Sequence, residues 1–144
     1  MYTYDYPRPS VTVDVAIIRP FGDDYQIFLI QRAQEPFQGK FALPGGFVEI
    51  DESLEEAAQR ELFEETGIEK IQLTQIHTFS DPDRDPRGRV ISTCFGCVLK
   101  AQDQINFRAG DDAADAGWFD LLDLPTLAFD HLLQIQVGIT RLLP

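Results

Sequence analysis

Residues 46–69 hold nine carboxylates, Glu49, Asp51, Glu52, Glu55, Glu56, Glu61, Glu64, Glu65 and Glu69, against one cation, Arg60. That local balance of −8 is two thirds of the formal charge of −12 carried by all 144 residues. The stretch also writes both ends of a helix. Ser53-Leu54-Glu55-Glu56 is a capping-box pattern, and Gly67 suits the left-handed residue that stops a helix. The spacing therefore predicts a helix over residues 54–66. At about 100° per residue, Leu54, Ala58 and Leu62 fall within roughly 80° and form the buried arc. Glu65, Glu61 and Glu64 follow at roughly 20°, 340° and 280° on the same count, so three carboxylates border the apolar stripe with small Ala57 among them. Phe63 falls near the opposite side and is expected to pack against another segment.

The flanking segments read as strands. Val11, Val13, Val15 and Ile17 alternate toward one face. Gly22-Asp23-Asp24 is a turn, followed by an apolar strand over residues 26–31. Residues 41–44 are short and extended, leading into Gly45-Gly46. Residues 71–80 and 90–99 are further strands, and 116–119 a short one. Helical spacing returns over residues 127–142, with Leu132, Ile135, Ile139 and Leu142 as its stripe. Strands mixed with two helices predict an α/β class, a mixed sheet between helices. There is no internal repeat and no linker, so residues 1–144 are read as one domain, of a size that buries a core.

Like charges at i, i+3 and i, i+4 oppose a helix by roughly 0.2–0.5 kcal/mol per pair, and partial burial raises that cost. A hard divalent cation would offset it far better than Arg60 alone. Magnesium takes oxygen ligands in an octahedron, from a few carboxylates, phosphate and water. Glycine at 45 and 46 lets a main-chain carbonyl come close enough to join them. The overall negative charge argues against nucleic acid or an anionic membrane as a partner. No apolar run is long enough for a bilayer, and residues 1–10 show no signal core, which makes the cytoplasm the expected location. Cys94 and Cys97 fall three apart in a strand, where they face opposite ways, and are expected to be reduced thiols.

Gly46, Glu52, Arg60, Glu61, Leu62, Glu64, Glu65, Gly67 and Ile68 resemble the Nudix box, G-x5-E-x7-R-E-U-x-E-E-x-G-U, at every fixed position. Arg32, Phe37, Gly39, Phe41 and Leu43-Pro44-Gly45-Gly46 resemble the approach to the box. Trp118-Phe119 with Leu124-Pro125 is similar to the family's closing strand. The resemblance implies a Nudix-type α/β/α sandwich that hydrolyses the diphosphate of a nucleoside diphosphate linked to another moiety. It implies a metal held by Glu64 and Glu65, then Glu61 and the Gly46 carbonyl, with magnesium expected and manganese as the alternative. A metal-bound water then attacks phosphorus in line, and positioning does most of the catalysis. Glu52 supports the site and Arg60 orients a carboxylate. The general base is either a box glutamate or an acid from a distant loop, for which Asp112 stands out in residues 110–115.

Residues 80–89, Ser-Asp-Pro-Asp-Arg-Asp-Pro-Arg-Gly-Arg, combine stiffening prolines with three guanidinium forks. Asp81, Asp83 and Asp85 could equally pair with those arginines internally. The run, with Asp130-His131, resembles the ADP-ribose pyrophosphatase branch. It implies ADP-ribose as substrate, AMP and ribose 5-phosphate as products, Arg32 and Arg84 at a substrate phosphate or ribose, and Phe41 where an aromatic meets substrate. Two alternatives stand: a pyrophosphohydrolase of nucleoside triphosphates, including oxidised ones, and a non-catalytic sensor like the Nudix half of NAD-responsive repressors. The intact box and the absence of a basic recognition segment before Pro144 disfavour the sensor. The resemblance also brings a homodimer among its expectations, with no interface legible in the sequence.

Overall fold

The computed structural model describes residues 1–100 and 113–144, with side chains from 116 onward in the second segment. Asp112 and most of its loop lie outside the described residues.

The described residues form, in order, β1 (Ser10–Phe21), β2 (Asp24–Arg32), β3 (Phe41–Ala42), β4 (Gly45–Phe47), α1 (Leu54–Thr66), β5 (Thr74–Phe79), β6 (Val90–Val98), β7 (Ala113–Asp120) and α2 (His131–Leu142). The sheet runs β3-β2-β1-β6-β5, with β4 on β1 and β7 on β2. Among the described strands β1 and β6 are the pair that runs parallel, from Ser10 opposite Val90 to Ile18 opposite Val98. The other pairings are antiparallel, so the sheet is mixed, as expected.

Alternation of side chains along a strand sends each strand's residues into two cores. Val13, Val15, Ile17, Phe28, Ile30 and Phe95 pack with Ala57, Ala58 and Leu62 of α1. Ala16, Ile18, Ile27, Leu29 and Cys94 pack on the other face with Ile135 of α2. The expected alternation in β1 therefore describes only half of a strand buried on both sides, and Val11, the first of that series, stays 39% exposed. Cys94 and Cys97 are free thiols divided between the two faces.

α1 has the span predicted. Ser53 Oγ accepts from the Glu56 amide at 3.1 Å while Glu56 Oε1 accepts from the Ser53 amide at 3.1 Å, and Gly67 ends the helix at φ 79°. Phe63 departs from expectation: it is 42% exposed.

The second helix starts four residues later than its apolar spacing predicts. Phe41 forms a bridge with Leu127, and Phe129 adopts φ 51°, a left-handed conformation that cannot continue a right-handed helix. Of the expected stripe, Ile135, Ile139 and Leu142 pack into the core, whereas Leu132 is 50% exposed. His131, Gln134 and Gly138 are buried with Ile135 on the inward face. The polar members turn inward because a buried carboxylate, Asp14 on β1, waits there.

Candidate active site

β4 carries Gly45 and Gly46 alongside β1, with Gly46 opposite Val13. Any larger residue at these positions would collide. A Cβ on Gly46 would enter the Glu61 carboxylate, 2.7 Å from Oε2, and one on Gly45 would strike Val13 O and Asp14 Oδ1. The double glycine thus brings the main chain directly against the acidic helix, the close approach for which glycine is suited.

Arg60 organises that helix face. Its Nε donates to Glu52 Oε2 at 2.9 Å, its Nη1 to Glu61 Oε1 at 2.8 Å and Glu64 Oε2 at 3.2 Å, and its Nη2 to Phe47 O at 3.0 Å. Glu52 Oε1 also accepts from the Glu49 amide at 2.8 Å. The Arg60 hydrogen bond and that amide hold the Glu52 carboxyl at about 2, well below its usual range. Both Glu52 oxygens are committed, which makes Glu52 a positioning group. Glu61 behaves oppositely. Burial pushes its carboxyl up, Arg60 opposes the shift, and Glu64 and Glu52 add to it. Its side chain is 11% exposed and that of Glu64 53%.

This donor set fits a hard cation: carboxylates on one helix face, one of them disfavoured as an anion by burial, and a main-chain segment that only glycine brings this near. Among the described residues no three acidic, histidine or cysteine side chains converge on one point. Glu61 and Glu64 each have an oxygen turned to Arg60 instead, and would have to turn from it to share a metal.

A cleft of about 240 Å³ opens beside this face. Glu65, Gly45, Gly46 and Phe47 line it together with Arg32, Arg84, Asp85, Arg87, Phe129 and His131. The fold therefore gathers Arg32, Arg84, Gly46 and Glu65 from the predicted set. Phe41 does not line the cleft; its ring meets Phe119 edge-on at 4.8 Å in the α2 core. Its main chain nevertheless bonds Thr126 O at 3.0 Å and the Ala128 amide at 2.8 Å, which fixes the turn that carries Phe129 into the cleft.

Behind the cleft lies a buried polar network invisible to motif reading. Asp14 Oδ2 accepts from Ser92 Oγ at 2.6 Å and Gln134 Nε2 at 3.0 Å, while Oδ1 is 3.5 Å from His131 Nε2. Burial alone would raise the Asp14 carboxyl, but His131, Ser92 and Gln134 outweigh it and hold it at about 2. His131 Nδ1 accepts from the Leu43 amide at 3.0 Å, which places the imidazole hydrogen on Nε2, toward Asp14. The network so fixes the chain two residues before Gly45. Asp130 takes Arg84 in a fork, Nε at 2.8 Å and Nη2 at 2.7 Å, and also accepts from Gln134 at 3.1 Å. The signal for Asp14 was present in the sequence: a lone charge inside the apolar run Val-Asp-Val-Ala-Ile-Ile.

Comparison with known proteins gives a consistent set of matches. The NUDIX domain family model matches residues 10–137. An ADP-ribose pyrophosphatase from Methanocaldococcus jannaschii is 48% identical over 126 residues, covering 88% of this chain and 70% of that protein. The ADPR responsive transcriptional repressor NtrR of Acinetobacter baylyi is 37% identical over 149 residues, covering 96% of this chain and 56% of the repressor. The NUDIX domain of Shewanella oneidensis NrtR, solved with ADP ribose, superposes with a TM-score of 0.87 at 30% identity, covering 96% and 93% of the two chains. The described residues contain no helix long and apolar enough to cross a membrane.

Proposed function

The chain belongs to the Nudix hydrolase family, and on that premise we propose that it cleaves the diphosphate of ADP-ribose to AMP and ribose 5-phosphate. One observation carries the reading: a single cleft joins the glycine-backed acidic helix face to a set of arginines. A diphosphate needs both, metal-bridging carboxylates at the reacting phosphorus and cations along the rest of the group. The identity to an ADP-ribose pyrophosphatase supports the particular substrate.

Nudix hydrolases use divalent metal ions. Here Glu64 and Glu65, then Glu61 and the Gly46 carbonyl, are the groups that would hold one, magnesium by preference and manganese as an alternative. Bound there, it would neutralise phosphate charge and acidify a water. Glu52 and Arg60 position the carboxylates, Arg60 by holding Glu61 and Glu64 in reach of each other. Arg32 faces the diphosphate or ribose, whereas Arg84, expected beside it, has its fork on Asp130. The proton of the attacking water goes to a box glutamate or to Asp112. Phe41 acts through the turn it holds. A homodimer stays part of the reading, open to a solution mass measurement.

The test is a panel of ADP-ribose, NADH, diadenosine polyphosphates and oxidised nucleoside triphosphates, with magnesium or manganese and with products identified. AMP and ribose 5-phosphate from ADP-ribose at the highest kcat/KM is the expected result. Preferred turnover of a triphosphate overturns the substrate. Magnesium at about 100 times its Kd should also stabilise the fold by roughly 2.7 kcal/mol. A second reading, a sensor that binds ADP-ribose without turnover, is favoured by the identity to the repressor; saturable binding with no product would establish it.

A further inference from the structure

Three arginines line the cleft, but their donors are committed to very different degrees. Arg84 is the most committed and the most buried: Nε and Nη2 fork onto Asp130, Nη1 reaches Val90 O at 3.5 Å, and the side chain is only 4% exposed. Arg87 is anchored by one edge. Its Nε and Nη2 meet Asp85 at 3.1 and 2.7 Å, its own amide meets Asp85 Oδ1 at 2.9 Å, and the side chain stays 39% exposed. Among the described residues the Arg32 guanidinium makes a single hydrogen bond, Nε to Pro36 O at 2.6 Å, and no ion pair. Guanidinium carries five donors in a rigid fork, so Arg32 and Arg87 each keep an edge for a ligand, while Arg84 is held away from one by its fork and its burial.

The two cations share a platform. Their Cζ atoms lie 5.0 Å (Arg32) and 5.2 Å (Arg87) from the Phe129 ring centroid. Burial lowers the Arg32 pKa and Arg87 lowers it further, while Glu65, Asp85 and Asp14 offset part of that shift, so the two guanidinium groups are held within reach of each other with their repulsion only partly offset. Phe129 and Phe37 stand at φ 51° and 62°, with their rings 4.8 Å apart. Left-handed backbone in bulky residues is uncommon and concentrates where a ligand is held. An anion between the two guanidinium edges would relieve the repulsion that the fold maintains.

We propose that Arg87 and Arg32, seated against Phe129, form the wall that binds the phosphoryl group of the diphosphate that is not attacked. This rests on the diphosphate reading above, and it moves the second substrate-facing cation from Arg84 to Arg87. Arg84 then serves through Asp130, by tying the loop that presents Arg87 to the start of α2. The wall selects for a second phosphoryl group next to the reacting one, which a phosphate monoester lacks.

The experiment titrates inorganic pyrophosphate into metal-free protein in EDTA at low salt, followed by calorimetry, so that no metal contributes. Wild type is expected to bind, and Arg32→Gln and Arg87→Gln each to weaken binding at least tenfold. Arg8→Gln, a charge lost outside the cleft, sets the baseline and should change it less than twofold. Because Arg87→Gln strands the buried Asp85, the double variant Asp85→Asn with Arg87→Gln removes both partners and must lose binding equally while folded by circular dichroism. Wild-type affinity in either Arg87 variant overturns the assignment. So does the absence of pyrophosphate binding by wild type. ADP-ribose turnover, measured separately with magnesium, reports on the hydrolase reading alone.

Discussion

The acidic face of α1 and the loop of residues 81–89 are both densely charged, and they neutralise themselves in opposite ways. On α1 one guanidinium serves Glu49, Glu52, Glu61 and Glu64 at 3.9 Å or less. Glu61 is left with a carboxyl that burial pushes up. At the loop the buried carboxylates have one arginine each: Asp85 takes Arg87, and Asp130, at the start of α2, takes Arg84. Burial alone would raise Asp85 and Asp130, yet Arg87 and Arg84 respectively hold both below the ordinary range. A shared cation leaves a region short of positive charge, and dedicated pairs leave it balanced. The first arrangement calls for a cation from solution; the second builds a frame. The two meet in one cleft because Gly46 and Glu65 line it beside Arg87.

The strongest way to break this contrast is to remove charge from the deficient side. Glu64 is the most exposed of the carboxylates on Arg60 apart from Glu49, so Glu64→Gln should leave the fold intact. Turnover should fall by about 10²-fold or more, the scale on which loss of a positioned electrostatic group acts. Wild-type kcat in that variant would remove Glu64 from the site.

Glu61→Gln probes the same deficiency through stability. A carboxyl whose folded pKa is raised stabilises the fold below its unfolded pKa, and that contribution is lost as pH rises through the folded value. Once ionised, Glu61 therefore opposes folding in the absence of metal. Glu61→Gln should raise the metal-free melting temperature while abolishing the magnesium-dependent increase. A lower metal-free melting temperature would mean that the Arg60 pair outweighs desolvation, and the contrast between the two regions would weaken.

What the sequence disclosed follows the same division. Periodicity, caps and box spacing are local, so the bounds of α1, Ser53, Gly67 and the carboxylate face were all legible. Supporting roles for Glu52 and Arg60 followed from the box resemblance, while their pairing with each other came only with the fold. The frame was not legible, since it joins residues far apart in the chain: Asp14 with Gln134, Arg84 with Asp130 and Leu43 with His131. Arg84 was read as facing substrate because a guanidinium in a loop does not reveal that a carboxylate 46 residues away claims it. The start of α2 was missed for a related reason. Apolar spacing continues through Leu127 and Ala128, and only the pairing of that segment with Phe41, and the left-handed turn at Phe129 it leads into, end the helical reading.

The frame can be tested by acid. Asp14 is buried, with its carboxyl lowered from 3.8 to about 2. A lowered carboxyl contributes stability above its unfolded pKa and loses it as pH falls through the folded value. Asp14 thus contributes about 2 kcal/mol, at 1.36 kcal/mol per unit, that disappears between about pH 4 and pH 2. Urea unfolding of wild type and Asp14→Asn should show their stability gap narrowing by about that amount across this window. Parallel curves would mean that the network around His131 is held by packing and not by charge.

The smallest expected effect lies at Phe63, and it sharpens the boundary of the acidic site. The residue sits in the middle of α1 between Leu62, which is fully buried, and Glu64, yet it is 42% exposed. Its helical phase places it away from both the apolar arc and the three carboxylates. A side chain that neither seals the core nor approaches the cleft has little to lose on substitution by a good helix former. Phe63→Gln should change stability by less than about 0.5 kcal/mol and leave kcat/KM for ADP-ribose within twofold. A larger loss of stability, seen in thermal melts, would point to a contact in solution on the outer face of α1. A loss of activity at unchanged stability would extend the working surface of the helix beyond Glu61, Glu64 and Glu65.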